Sequence, residues 1–294
     1  MGCTLCPREC GVDRERSVGF CREGAEARVA KIMLHHWEEP CISGEEDGAG
    51  SGAVFFSGCS LRCVYCQNRS VSRGMTGEAM SPRRLADEML KLRDRGALNI
   101  NLVTPTHFTD RIKEALDLVK GKLGIPVVWN TSGYEKPETV SSLEGYVDVF
   151  LTDFKYVSPE LSEKYSHAAD YAEYTVSSLR EMVRITGSPR FEGSLLKRGT
   201  IVRHLVLPGC SRDSVEVLRA ADGAVGAKNV LLSLMSQYTP SFLDEGYGEL
   251  ARKITTFEYE RVLGEAITLG FEGYMQSRSS ATSDFTPDFG KDYQ

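Results

Sequence analysis

The rhythm of apolar and polar positions changes near residue 53. From there, six short apolar runs recur: Ala53–Ser57, Asn99–Val103, Ile125–Asn130, Val147–Asp153, Ile201–Leu207 and Asn229–Met235. Runs of this length, bounded by turn residues, read as buried strands. Between them, apolar residues return every three or four positions, the period of a helix face. Ser81-Pro82 supplies an N-cap and first-turn pair, followed by Leu85, Met89 and Leu92 on one face. Thr109 is placed to cap a helix carrying Ile112, Leu116 and Val119, and Pro137 opens a short one. Tyr171, Thr175, Leu179 and Met182 mark a fourth. Ser211 is placed to cap a fifth with Val215, Leu218 and Ala221, and a sixth runs from about Thr256 to Leu269.

Six strands each followed by a helix make successive βα units, hence an α/β protein with a parallel sheet under helical cover. A flat doubly wound sheet and an incomplete barrel both satisfy that count. In either, chemistry collects at the C-terminal ends of the strands. Residues 1–24 lack a periodic apolar face long enough to hold them together, and Gly44–Gly52 reads as a flexible turn. The expected division is a cysteine-rich metal-binding extension over 1–50, a core over 51–275 and a polar C-terminal tail over 276–294.

Composition narrows the class. A chain of 294 residues with 41% hydrophobic content and 28 glycines suits a soluble α/β protein, and a net charge of -6 argues against nonspecific nucleic-acid binding. No apolar run approaches the ~20 residues of a membrane span. Met1-Gly-Cys-Thr-Leu-Cys lacks the form of a secretory signal, so a cytoplasmic location is expected.

Nine cysteines change the picture more. An odd number in tight clusters is a poor disulfide framework, and metal is the better use of so many thiols. Cys59, Cys63 and Cys66 follow the first strand at spacings of four and three. Three thiolates on such a loop suit an iron–sulfur cluster, leaving one iron of a four-iron cluster open; zinc is the alternative. Cys3, Cys6, Cys10 and Cys21 lie in a segment too polar to make its own core, where tetrahedral zinc or a second cluster would supply the folding energy. Cys41 reads as a buried structural thiol, and His35 and His36 as ordinary contacts.

Polar residues gather after the other strands: Thr104-Pro-Thr-His107, Asn130-Thr-Ser-Gly133, Asp153-Phe-Lys155 and, within the fifth, Arg203-His204. Asp153 and Lys155 are two apart and share a face. Arg203 in an apolar strand needs an anion: Asp153, another carboxylate or a cofactor. His107 and His204 fit supporting roles, and Cys210 a spectator thiol.

Taken with Val54-Phe-Phe-Ser-Gly-Cys59, Asn99-Ile-Asn-Leu-Val-Thr-Pro-Thr-His107, Thr152-Asp-Phe-Lys-Tyr156 and Ile201-Val-Arg-His-Leu-Val-Leu-Pro-Gly209, these motifs resemble the radical S-adenosylmethionine (radical SAM) enzymes. Within them, the chain is most similar to the pyruvate formate-lyase activating-enzyme-like proteins of the PflX group, over about residues 1–275. The resemblance implies a partial (β/α)6 barrel and a [4Fe–4S] cluster on Cys59, Cys63 and Cys66. It implies S-adenosylmethionine contacted by Asp153, Lys155, Arg203, Thr104, Asn130 and Tyr65. It also implies a one-electron donor such as flavodoxin or ferredoxin, and a 5'-deoxyadenosyl radical that abstracts hydrogen from a glycyl-radical enzyme, another polypeptide or a small metabolite. The chain departs from the activators at Asn130, where they carry aspartate, and at Thr104-Pro105-Thr106, where they carry a Gly-Gly-Glu-like turn. A non-catalytic zinc or iron–sulfur interaction module is the reading outside enzymology.

Overall fold

The computed structural model describes residues 2–44 and 48–275; part of the expected turn at 44–52 and the expected tail over 276–294 lie outside the described residues. Ten strands are present among the described residues: β1 (Ala27–His35), β2 (Ser51–Phe56), β3 (Glu78–Met80), β4 (Ile100–Val103), β5 (Val127–Thr131), β6 (Val149–Asp153), β7 (Arg190–Glu192), β8 (Leu195–Leu205), β9 (Leu231–Met235) and β10 (Glu272–Met275). They follow the order β10-β9-β8-β6-β5-β4-β2-β1-β3, with β7 paired to β8. The six strands expected from the apolar runs are β2, β4, β5, β6, β8 and β9, and every pairing of one of these with another is parallel. The sheet curls into a barrel that does not close, because its ends, β10 and β3, are not neighbours.

Two edges were not legible from the pattern. β10 adds one more parallel strand beside β9, while β1 and β3 extend the other side in antiparallel pairing. The helices fall where the periodicity puts them, at Pro82–Asp94, Thr109–Val119, Pro137–Ser141, Tyr171–Thr186, Ser211–Val225 and Thr256–Leu269, and a further one spans Pro159–Ser166. Ser81 caps the first by accepting from Arg84 N. Thr109 and Ser211 instead begin their helices, with Phe108 and Cys210 at the cap positions. In the Ser211 helix Val217, rather than Val215, is buried with Leu218 and Ala221.

Strand alternation gives the barrel interior two layers. Val128, Leu151, Ile201 and Leu231 make an apolar lower layer. Two residues further along the same strands stand Asn130, Asp153, Arg203 and Ser233. The connection between β1 and β2 enters this interior from below. Its short helix, Pro40–Ser43, packs Cys41 and Ile42 against Val128, Val149, Leu151, Ile201 and Leu231, plugging the lower end.

Residues 2–26 fold over the other end. Arg8 donates to the carbonyls of Ser60, Ser166 and His167 while its guanidinium lies over the rings of Phe20 and Tyr134. Arg14 donates to the carbonyls of Gly24 and His107, and Thr139 donates to Leu5 O. The segment is therefore fastened to the loops and short helices that follow β2, β4, β5 and β6.

Candidate active site at the upper mouth of the barrel

β2 delivers the cysteine loop to the mouth. Its last turn needs Gly58, with φ +81°, because a Cβ there would stand 2.5 Å from Cys21 O and 2.6 Å from Glu23 Cγ. Cys59, Cys63 and Cys66 all line one cavity of about 260 Å³. Leu61 N donates to Cys59 Sγ at 3.4 Å, and Ser166 Oγ donates to Cys63 Sγ at 2.9 Å. Burial pushes the Cys63 thiol up to about 12 and raises Cys66 as well, against the pull of the nearby Lys155 ammonium. Without a metal these buried sulfurs remain protonated thiols; coordination to iron is what removes such protons. The donor set fits a cluster. Among the described residues, no three His, Cys, Asp or Glu side chains converge as for a single metal ion. Three thiolates lining one cavity match the ligand number of a cubane with one open iron, in which each thiolate holds a different iron.

Facing the loop across the cavity stand Thr104, Asn130, Asp153, Lys155 and Arg203, with Tyr65 on the loop itself. All six residues that the resemblance assigns to the cofactor thus share one cavity wall or another. Lys155 Nζ donates to Asp153 Oδ2 at 2.5 Å. Burial alone would lower the lysine, but Asp153, then Cys63 and Tyr171, outweigh it and hold the ammonium well above its ordinary range. Tyr171 fixes the strand end, its one O–H shared between Ser132 O at 2.8 Å and Asp153 O at 3.0 Å while its oxygen accepts from Lys155 N. Thr104 adopts φ +58° and its amide donates to Asn130 O at 2.8 Å, tying the turns after β4 and β5 together.

Arg203 has its anions already, and they are residues the sequence reading did not single out. Its guanidinium donates to Glu39 at 2.8 and 3.0 Å and to Glu38. Glu38 also accepts from Asn101 at 2.9 Å and Asn130 at 3.2 Å. Burial opposes charge on Arg203 and Glu39, yet the pairing wins: Arg203 is pushed up and Glu39 down. The only sequence signal was an acidic dipeptide directly before Pro40.

The other expectations separate by position. Cys41 is buried in the barrel plug. His35 lines the cavity and is buried with its ring edge-on to Phe55. His107 Nε2 donates to Ser57 O and His204 Nδ1 to Phe154 O, so both are fixed neutral supports. Cys210 sits in the outer core beside Leu207 and Val217 rather than among the cavity residues. In the covering segment Cys6 and Cys21 are buried and Cys3 and Cys10 half-buried. A Cβ on Gly19 would lie 3.0 Å from Cys10 Sγ and 3.5 Å from Cys21 Sγ, so these two sulfurs face one point. Glu135, wholly buried beneath, accepts from Thr106, Thr131 and Trp129 through Oε1, and burial lifts it to about 7.

The sequence profile of the radical SAM superfamily matches residues 53–220, the stretch from β2 through the Ser211 helix. The chain belongs to the radical SAM superfamily. As a radical SAM protein it is 29% identical over 275 residues to an uncharacterized protein of Methanocaldococcus jannaschii, covering 89% of this chain and 73% of that one. It is 23% identical over 201 residues to the pyruvate formate-lyase-activating enzyme of Streptococcus mutans, covering 64% and 71%. Among solved structures it is similar in fold to Streptococcus suis SuiB bound to S-adenosylmethionine, with TM-score 0.52, 12% identity and 74% of this chain covered. SuiB bound to the precursor peptide SuiA gives TM-score 0.52, 11% identity and 76% coverage. The chain spans about half the length of SuiB (48%). Membership of this radical SAM superfamily implies a [4Fe–4S] cluster and S-adenosylmethionine. No helix among the described residues is long and apolar enough to cross a membrane.

Proposed function

We propose that this radical SAM enzyme is an activase of a glycyl-radical enzyme, with Cys59, Cys63 and Cys66 holding the cluster. The observation that carries the site is the meeting of those three cysteines with Asp153 and Lys155 around one cavity. The similarity to an enzyme named pyruvate formate-lyase-activating supports the substrate class. A [4Fe–4S] cluster and S-adenosylmethionine bound there would supply one-electron reductive cleavage of the sulfonium and radical abstraction of hydrogen from the substrate. The protein's own residues bind and orient. Lys155, held cationic by Asp153, meets a carboxylate at the mouth, and the turns at Thr104 and Asn130 offer backbone and side-chain groups to the nucleoside. Arg203 acts through Glu38 and Glu39 by fixing the floor of the cavity.

In the same reading Cys3, Cys6, Cys10 and Cys21 hold zinc or a second cluster above the mouth, a flavodoxin or ferredoxin delivers the electron, and the setting is cytoplasmic. The second reading is modification of another peptide, favoured by SuiB, which was crystallised with its precursor peptide. Anaerobic reconstitution, iron and zinc counting, and assay of 5'-deoxyadenosine under reductant test the radical chemistry. Incubation with a candidate glycyl-radical enzyme, read by electron paramagnetic resonance, tests the activase. A protein that forms deoxyadenosine but raises no glycyl radical in any partner leaves the peptide reading and refutes the first.

A further inference from the structure

The sulfur of Cys63 is the end of a buried row of hydroxyls. Ser166 Oγ donates to Cys63 Sγ at 2.9 Å, Tyr156 Oη lies 3.1 Å from Ser166 Oγ, and Tyr65 Oη lies 2.5 Å from Tyr156 Oη. Ser166 is fully buried, and Tyr65 and Tyr156 nearly so. Two of these contacts could run either way by geometry alone, but a thiolate fixes the direction. It can only accept, so Ser166 spends its single proton on Cys63. Tyr156 must then donate to Ser166, and Tyr65 to Tyr156. All three O–H dipoles point at the sulfur. Aligned donors polarise one another, and the low-dielectric surroundings strengthen each bond. Tyr65 is the residue before Cys66 and also lines the cavity, so the row starts on the cluster loop and returns to it.

Resting on the assignment of Cys63 as a cluster ligand, we propose that Ser166, backed by Tyr156 and Tyr65, is a positioning residue that raises the reduction potential of the cluster. Hydrogen bonds to the ligating sulfurs are one of the levers that set such potentials. Reduction adds negative charge to the cluster and its thiolates; donors aimed at a sulfur favour the reduced state over the oxidised one. The row therefore eases entry of the electron from the external donor, a step separate from binding S-adenosylmethionine.

The test is a redox titration of the reconstituted enzyme, following the signal of the reduced cluster by electron paramagnetic resonance. Iron and sulfide counts and the visible spectrum come first: no cluster in the unaltered protein would refute the assignment of Cys63 itself. With cluster present, Ser166→Ala should make reduction about tenfold less favourable, about 59 mV more negative for one electron. Ser166→Thr, which keeps the hydroxyl, should restore the value. Tyr156→Phe leaves Ser166 donating but removes its backing, so it should shift the potential in the same direction by less. It is also the variant to use if Ser166→Ala does not fold. Full cluster content with unchanged potentials in Ser166→Ala or Tyr156→Phe would overturn the proposal, as would a shift in Ser166→Thr equal to that of alanine.

Discussion

Replacing Arg203 separates two accounts of the same residue. If it served the cofactor alone, Arg203→Met would weaken S-adenosylmethionine binding and leave the fold intact. The structure instead gives it two buried carboxylates, with Glu39 held at 2.8 and 3.0 Å and Glu38 beside it. Removing one partner of a buried ion pair costs about 3–5 kcal/mol, because the remaining charge stays out of water without compensation. Here two carboxylates are left. Glu38 retains Asn101 and Asn130, which softens its share, so a loss near the upper end of that range is expected for Glu39 and Glu38 together. Glu39→Gln keeps the shape and loses charge-assisted bonds, for about 1.5–3 kcal/mol. Arg203→Met combined with Glu38→Gln and Glu39→Gln removes every charge of the triad and should recover at least half of the single-variant loss. The assay is anaerobic urea unfolding followed by circular dichroism, with S-adenosylmethionine binding measured on the same samples. An Arg203→Met protein as stable as its parent but unable to bind the cofactor would refute the assignment of Arg203 to the barrel floor.

Three further outcomes are expected. Gly133→Ala places a Cβ 2.0 Å from Asp153 O at φ +81° and should cost about 2–5 kcal/mol, whereas Gly145→Ala, at φ +83° with nothing within 4 Å, should cost only the left-handed backbone term of about 1–2; equal losses in urea unfolding would show that the contact with Asp153 is relieved. Arg8→Ala should cost about 1.5–3 kcal/mol and expose residues 2–26 to limited proteolysis, and an unchanged digestion pattern would count against the fastening described above. His107 and His204 are depressed by burial to about 3 and about 4, so they stay neutral in the fold and take up protons on unfolding; their stabilisation is full above pH 6.5 and lost as pH falls towards those values, about 2 kcal/mol each from pH 7 to 5. Glu135, raised by burial to about 7, works in the opposite sense over the same interval by about 2 kcal/mol, so Glu135→Gln should roughly double the acid loss, and equal pH slopes in parent and variant would refute the shift.

Much of the fold could be read because its signals are local. Each parallel strand is a short apolar run, each covering helix shows its period, and the cysteine loop follows a strand within a few residues. The polar upper layer was legible for the same reason: Asn130 and Asp153 end apolar runs, and Arg203 interrupts one. What escaped depends on long-range pairing. β1 carries Arg28 and Lys31 among its apolar residues and adjoins a polar cysteine-rich segment, so its strand character appears only beside β2 and β3. Glu38 and Glu39 look like a solvated turn until Arg203, more than 160 residues later, is brought to them. Ser166 sits in a helix with no motif of its own, yet it reaches Cys63 across a separation of 103 residues.

The covering segment also constrains the order in which the molecule can be assembled. Residues 2–26 are held by partners far along the sequence, with Arg8 fastened to the carbonyls of Ser166 and His167, and Leu5 O to Thr139. Those contacts span 134 to 159 positions, so they form only once the chain through Ser166 is available to fold. Fastening of Cys3, Cys6, Cys10 and Cys21 over the mouth by these contacts therefore waits for the part of the barrel that carries Thr139 and Ser166.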